Sequence, residues 1–264
     1  MEISGQQTVS TPSFPVFCYK ELLEKMEETD DSGVIYPERD GKPMGETEIH
    51  VMAIIELCQT LRHFFRHHPD VYVIADMLMY YEKGKPGSVR VPDVMVVKGV
   101  GKRVRRTFKI WEEKTAPNVI FEITSKSTAS EDMSKIALYS SLGVKEYFLF
   151  DPLEEYIEKS LMGFRMDGIN CRPIPPDENG NLFSEELGLT LKQEGELLRL
   201  ADPETGCLVP SLEEEARRAD EAESQAKGQS LRVREAEKRA EEEAQKAARL
   251  AAKLREMGID PDSV

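Results

Sequence analysis

The chain has 264 residues, of which 32% are charged and 40% hydrophobic, and its formal net charge is −14 at pH 7. No run of 18 apolar residues exists, and the first residues lack the basic and apolar regions of a secretory signal, so neither a transmembrane helix nor secretion is predicted. The four cysteines include no CxxC pair, which argues against a disulfide framework or structural zinc site and favours a cytoplasmic protein.

Composition divides the chain into four parts. We expect a flexible leader over residues 1–16 and one compact domain over 17–208, which is long enough for a sizeable hydrophobic core. Residues 209–257 have the composition of one long charged helix, and residues 258–264 form a short tail. Because the domain is acidic, it could bind nucleic acid only through a local concentration of basic residues.

Helical and strand patterns alternate along the compact domain. Three helices are predicted from apolar periodicity, at residues 19–28, 47–67 (with Thr47 as the N-cap) and 130–142. Strands rich in β-branched and aromatic residues are predicted at 71–81, 89–97, 118–124 and 145–151. An edge hairpin is predicted at 156–166 with the ENGN turn that follows, and short strands at 187–201. The order predicts an α/β fold with a mixed sheet, in which the strands of the 118–151 unit are parallel.

The C-terminal helix has a heptad pattern that begins at Leu212 and consists mostly of alanine. An alanine seam lets two helices approach closely but buries little area, so a coiled coil would be weak. The alternative is a solvated single helix supported by i,i+4 charge pairs, since residues 211–257 contain 12 acidic and 11 basic residues. We expect any homodimer to depend mainly on the compact domain.

Two acidic residues lie in strongly apolar segments. Asp93 is in VRVPDVMVV and Glu122 is in NVIFEIT, where strand alternation places Glu122 on the face opposite Phe121. A buried, unpartnered carboxylate costs several kcal/mol, and a divalent cation shared by both acids would offset that cost. The alternative is that each acid pairs with a nearby arginine or lysine, or reaches solvent at a strand end.

The helix after the third strand carries Lys135 and Tyr139, which share one face because they are four residues apart. A crossover helix can bring that face over the carboxyl end of the preceding strand, where a lysine would polarise a phosphate. The alternative is a surface lysine beside Asp132.

A basic segment separates the two acid-bearing strands. It contains Phe108 and Trp111 among its charges, and its candidate phosphate-binding residues are Lys102, Arg103, Arg105, Arg106 and Lys109. A loop that only improves solubility is an equally good interpretation.

Several segments, taken in order, resemble the Uma family of putative restriction endonucleases in the PD-(D/E)xK nuclease superfamily. They are VRVPDVMVV, NVIFEITSKST, GVKEYFLFDP and LGLTLKQEGELLRLADPETG, and the resemblance covers roughly residues 15–210. It implies a restriction-endonuclease-like fold in which Asp93 and Glu122 are the two catalytic acids. The superfamily's usual lysine position is Thr124 here, so the resemblance implies that Lys135 has taken over this role, with Lys126 as the fallback.

The activity implied by the resemblance is that of an endonuclease acting on DNA with Mg²⁺ or Mn²⁺. Asp93, Glu122 and the main-chain carbonyl of Ile123 would bind the metal. The first long helix of this superfamily often adds an acid, for which Glu48 is the candidate.

Other residues of that helix are weaker candidates for the site, namely His50, next to Glu48, and Glu56. Two further interpretations of the whole chain remain open. One is an inactive nuclease-fold module that binds DNA or protein, and the other is a carboxylate–metal hydrolase with a different substrate.

Overall fold

A computed structural model of the protein describes residues 28–29, 33–37, 47–124, 129–157, 159–168 and 170–257. The predicted leader and C-terminal tail lie outside these residues, as does the helix predicted at 19–28 except for its last residue. The described chain falls into two compact units, residues 1–209 and 210–264.

The strands are numbered in chain order. They are β1 (Glu28–Thr29), β2 (Ile35–Tyr36), β3 (Val71–Ala75), β4 (Met79–Tyr80), β5 (Val89–Arg90), β6 (Val94–Lys98), β7 (Phe108–Lys109), β8 (Val119–Ile123), β9 (Glu146–Phe150), β10 (Leu161–Asp167), β11 (Asn170–Pro173), β12 (Leu182–Ser184), β13 (Leu189–Glu194) and β14 (Leu197–Ala201). The helices are α1 (Glu48–Phe64), α2 (Ile110–Glu113), α3 (Ala129–Leu142) and α4 (Leu212–Glu256).

A six-stranded sheet forms the centre of the N-terminal unit, with the strand order β11-β10-β9-β8-β6-β3. Strands β8 and β9 are parallel, and the other neighbours in this sheet are antiparallel. The crossover between the two parallel strands is α3, as the strand–helix–strand pattern predicted. The predicted α/β architecture with a mixed sheet, flanking helices and a long C-terminal helix is therefore confirmed.

The described residues also form three smaller sheets. Strands β12-β13-β14 form an antiparallel sheet, β5-β4-β7 form a second three-stranded sheet, and β1 pairs with β2. The small β5-β4-β7 sheet matters for the site because β5 leads directly into the segment that carries Asp93.

The central sheet is covered by apolar side chains on both faces. One face carries Phe121 and Phe148, which belong to the same apolar cluster as Leu57 and Leu61 of α1 and the leucines of the small C-terminal sheet. The opposite face carries Ile120, in a cluster with aromatic side chains that include Tyr139 of α3. The predicted alternation along β8 is thus correct, and Glu122 shares the face of Ile120.

Two predicted strands are interrupted. The segment 71–81 breaks at Asp76, which has a positive φ of 51°. The segment 89–97 breaks at Pro92, which has no N–H group for the strand ladder. An edge hairpin is present, but β10 and β11 form it and the chain reverses at residues 167–170, ahead of the ENGN turn.

The C-terminal unit consists of α4, which begins three residues later than predicted. Ser211 is its N-cap, and its side chain and that of Glu214 form a reciprocal capping box. The first turn is acidic and the last turn is basic, which is the favourable arrangement for the helix dipole. Within the described residues, no helix combines the length and apolar character that crossing a membrane requires.

Candidate active site

Asp93 lies at the entrance to β6 and not within a strand, because Pro92 ends the preceding pairing. Its side chain is 21% exposed. One carboxylate oxygen, Oδ2, accepts a hydrogen bond of 2.6 Å from the main-chain N–H of Ile123 in β8. This bond fixes the aspartate against the strand that carries the second acid.

Glu122 is the buried acid of the pair, with 3% of its surface exposed. Its Oε1 accepts a hydrogen bond of 2.9 Å from the hydroxyl of Tyr139. The ammonium of Lys135 lies 3.1 Å from the same oxygen. The alternation of β8 and the four-residue spacing in α3 therefore bring these three side chains together, as the sequence suggested.

Lys135 is shared between two carboxylates. Its Nζ also lies 3.0 Å from Oδ1 of Asp132, whose side chain is buried, and Lys135 itself is only 11% exposed. The hydroxyl of Tyr147 donates a bond of 2.9 Å to the main-chain carbonyl of Asp132, which holds the start of α3 against β9. The interpretation of Lys135 as a surface lysine does not fit this environment.

Burial and neighbouring charge perturb the protonation of this cluster. Burial, and then the charge of Asp93, raise the pKa of Glu122 to about 8, although Lys135 acts in the opposite direction. Burial would lower the pKa of Lys135, but the charges of Glu122 and Asp132 outweigh it and the pKa is raised overall. Lys135 therefore keeps its proton, and Glu122 in the metal-free protein holds a proton more tightly than an ordinary glutamate does.

The donor chemistry of the carboxylate pair fits a hard divalent cation. Both acids offer oxygen ligands, and the charge of Asp93 raises the pKa of Glu122, which is a repulsion that a cation would offset. Within the described residues, no three His, Cys, Asp or Glu side chains are grouped as a metal site. An ion bound here would therefore complete its coordination with water and main-chain oxygen, which is typical of Mg²⁺.

The first long helix reaches the site through His50. The Thr47 side chain accepts a bond of 3.3 Å from the His50 N–H, which starts α1 at this point. The His50 ring is buried, and its Nε2 lies 3.7 Å from Oδ1 of Asp93. Glu48 is exposed in the same helical turn as His50, and Glu56, further along α1, is half-buried. His50 is thus the α1 candidate that lies beside Asp93.

The basic segment has a buried part that the sequence did not reveal. Arg105 is buried, forms a two-pronged ion pair with Glu113 at 2.8 and 2.9 Å, and covers the ring of Tyr72. Lys109 is also buried and lies over the ring of Tyr36. The expectation of phosphate contacts therefore does not fit Arg105 and Lys109, because their side chains stabilise the fold from the inside.

The other three candidate phosphate-binding residues, Lys102, Arg103 and Arg106, are exposed. Lys102 donates to the main-chain carbonyl of Phe65 at 2.6 Å, and Arg103 pairs with Glu113 at 2.6 Å. These three residues keep the surface position that contact with a nucleic acid requires. The fallback lysine, Lys126, lies outside the described residues.

Two charged residues near the site were not chosen from the sequence. Asp132 was considered as a neighbour of Lys135 but not as a site residue, and its burial and its ion pair with Lys135 make it part of the cluster. Arg90 lies three residues before Asp93, in an apolar segment where an arginine is as unusual as the aspartate itself. An arginine in this apolar segment was the feature of the sequence that could have identified Arg90 as a candidate site residue.

The fold and this cluster define an α/β protein with two carboxylates and a buried lysine on one face of its central sheet. The chain belongs to the family described as Uma2, putative restriction endonuclease, whose model matches residues 21–201. It is also similar to a solved structure described as a putative nuclease belonging to DUF820 from Anabaena variabilis ATCC 29413. The identity is 16%, the match covers 64% of this chain and 89% of that one, and the TM-score is 0.41. No curated protein matches the chain significantly.

Proposed function

We propose that the protein is an endonuclease that hydrolyses phosphodiester bonds of DNA with the help of Mg²⁺ or Mn²⁺. The observation that carries the proposal is the convergence of Asp93, Glu122 and Lys135 from three separate elements. Membership of the Uma2 family supports a nuclease. The hydrolysis of a phosphodiester needs an activated water and relief of the charge on the phosphoryl oxygens, and these three residues offer both.

Asp93 and Glu122 would hold the metal, with the main-chain carbonyl of Ile123 and water molecules as further ligands. A metal bound there would lower the pKa of a coordinated water and attract the oxygens of the scissile phosphate. Lys135 stays protonated because two carboxylates surround it, so its ammonium would offset negative charge on the phosphoryl group. Tyr139 would keep Glu122 in position through its hydrogen bond.

Residues of α1 would support the first acid. His50 lies against Asp93 and would orient its carboxylate. Glu48 is our candidate for an additional acid that reaches the metal through a water. The exposed Lys102, Arg103 and Arg106 would contact DNA phosphates away from the reaction centre.

The test is the cleavage of supercoiled plasmid DNA in Mg²⁺, in Mn²⁺ and in a chelator. Asp93→Asn and Glu122→Gln should each lower the cleavage rate on the order of 100-fold or more, because each removes a charge that the metal needs. The exposed acid Asp167 provides a control, and Asp167→Asn should cleave like the parent. Metal-independent cleavage, or unchanged rates in both site variants, would contradict the proposal.

One observation favours a second candidate function, that of an inactive nuclease-fold module that binds DNA. The position of the superfamily's usual lysine is occupied by Thr124, which is buried and cannot carry a positive charge. Binding of DNA by the parent protein without cleavage in either metal would support this module instead.

A further inference from the structure

Arg90 is placed on the side of the candidate active site by the pairing of β5 with β4. It lies directly opposite Met79 in this antiparallel pair, and directly opposed residues project from the same face. Met79 is fully buried in the same apolar cluster as Tyr139 and Ile120. Arg90 is also only three residues before Asp93, so the short link through Pro92 keeps the two side chains in one region.

The proximity of Arg90 to the cluster is also visible in the electrostatics. Burial, and then the charge of Glu122, raise the pKa of the Tyr139 phenol. The positive charge of Arg90 acts in the opposite direction on the same phenol. Because a Coulomb interaction weakens with distance, this effect places the guanidinium near the phenol.

The charge of Arg90 is not compensated within the described part of the chain. Its Nη1 donates to the main-chain carbonyl of the adjacent Val89 at 2.8 Å, while its Nε is buried and has no hydrogen-bond partner there. Two other cations of the domain have acidic partners, since Lys135 lies between two carboxylates and Arg105 forms a two-pronged pair with Glu113. A half-buried guanidinium without an anion is costly, which indicates a place for an anionic ligand.

The shape of the guanidinium restricts the class of this ligand. Arginine presents its donors as a planar fork that matches two oxygens of a phosphate or carboxylate. Within the described residues, the acids of the site are partners of Lys135 or proposed metal ligands, which leaves an external ligand as the source of an anion for Arg90.

We propose that Arg90 binds the two non-bridging oxygens of a substrate phosphate next to the carboxylate pair. The proposal rests on the proposed function for the identity of the substrate, but not for the existence of the anion site. Arg90 thereby makes the site selective for the nucleic-acid backbone and not for a particular base, because a phosphate contact carries no direct sequence information.

The first experiment measures the anion site without any nuclease activity. Thermal unfolding of the full chain is followed in inorganic phosphate and in chloride at equal ionic strength. Phosphate should raise the Tm of the parent protein and of Arg172→Gln, a control that removes an exposed arginine from the far edge strand β11. It should not raise the Tm of Arg90→Gln. Equal responses of Arg90→Gln and the parent, or no response in the parent, would overturn the proposal.

The second experiment measures the affinity for a DNA oligonucleotide in Ca²⁺, which replaces the proposed metals. Arg90→Gln should weaken binding about tenfold, in line with the loss of charge-assisted hydrogen bonds. Arg90→Lys keeps the charge but not the fork, so it should restore only part of the affinity, and Arg172→Gln should bind like the parent. Unchanged affinity in Arg90→Gln would also overturn the proposal.

The two proposals can fail separately. A phosphate response that depends on Arg90, in a protein that cleaves no DNA, would leave the anion site in place and refute the endonuclease. Metal-dependent cleavage by an Arg90→Gln variant that keeps the parent's affinity and phosphate response would support the endonuclease and refute the anion site at Arg90.

Discussion

At the scale of single residues, the site is a balance of charges in a space that excludes most water. Lys135 lies between the carboxylates of Glu122 and Asp132, the charge of Asp93 acts on Glu122, and the charge of Arg90 acts on the neighbouring Tyr139 phenol. Burial, and then the negative charge of Asp93, raise the pKa of Glu122. A bound divalent cation would favour the ionised form of Glu122 and would add positive charge that attracts a phosphate.

The stability of the metal-free protein should depend on pH through Glu122. Its pKa is about 8 in the folded protein against an ordinary value of 4.5, so its contribution to stability is complete below pH 4.5 and is lost as the pH rises to about 8. Glu122→Gln should lack this loss. Between pH 5 and 8 the parent should therefore lose at least about 1 kcal/mol more unfolding free energy than Glu122→Gln does.

Urea denaturation in a chelator at several pH values measures this difference. Glu196→Gln is a suitable control, because it neutralises an acid that is exposed at the tip of the β13–β14 hairpin. Parallel pH profiles for Glu122→Gln and the parent would mean that the glutamate ionises normally in the folded protein.

The substitution Lys135→Ala should lower kcat for DNA cleavage by about 100-fold, because the ammonium acts on charge that develops in the transition state. Lys126→Ala should have a much smaller effect. Loss of Lys135 also leaves Glu122 and Asp132 without their shared cation, so the Tm of each variant must be measured beside kcat. Equal and small effects of both substitutions on kcat would refute the assignment of the catalytic lysine to α3.

At the scale of secondary-structure elements, the packing of β10 depends on a glycine. A Cβ atom at Gly163 would lie 2.8 Å from Cε1 of Phe148 on β9 and 2.9 Å from Cδ1 of Leu182 on β12. Gly163→Ala should therefore destabilise the protein by about 1–3 kcal/mol through overpacking. A Cβ at Gly87 meets no atom within 4 Å, so Gly87→Ala should be close to neutral in the same denaturation experiment. A neutral Gly163→Ala would show that β10 and its neighbours separate easily.

Local patterns were sufficient for the elements that carry the catalytic candidates. Alternation along β8 placed Glu122 on the correct face, and the four-residue spacing in α3 placed Lys135 and Tyr139 together. The exact position of Asp93 was wrong, because the apolar residues around it hid the break that Pro92 imposes. Local reasoning succeeds where a periodic repeat determines the direction of a side chain.

Contacts between residues distant in sequence were beyond such reasoning. Arg105 packs against the ring of Tyr72 in β3, and Lys109 lies over the ring of Tyr36 in β2. The role of Arg90 depends on the register between β4 and β5, which two-residue strands do not reveal in a sequence. A basic residue in a basic segment is thus ambiguous until its long-range partners are known.

At the scale of the whole molecule, charge is distributed very unevenly. The protein carries a net charge of −14, yet its exposed basic side chains include Lys102, Arg103 and Arg106 in one segment. A DNA-binding surface on such a protein must be small, because the rest of the surface repels the phosphate backbone. If Arg90 binds a substrate phosphate as proposed, its charge would contribute more to binding here than it would in a basic protein.

The C-terminal helix α4 presents no extended apolar face. Leu231, Val233 and Leu250 are each more than half exposed, and Leu212 is 44% exposed. Most other positions of its heptad seam are alanines, and Glu223 and Glu237 also fall on the seam. In a parallel coiled-coil dimer, each of these glutamates would lie opposite the same glutamate of the second helix. The alanines would bury too little area to offset this repulsion.

Truncation after Pro210 should therefore leave both DNA cleavage and the oligomeric state of the protein unchanged. The truncated chain keeps the main-chain bond of 2.8 Å from Val209 to Leu200, which ties the end of the N-terminal unit to β14. The isolated helix gains its stability from its capping box and from i,i+4 pairs such as Glu223–Lys227, and neither requires a second copy. Light scattering gives the solution mass of both proteins, and plasmid cleavage gives their activity. A full-length dimer that becomes monomeric and inactive on truncation would show that the helix assembles the enzyme, since the candidate site residues all lie in the part that remains.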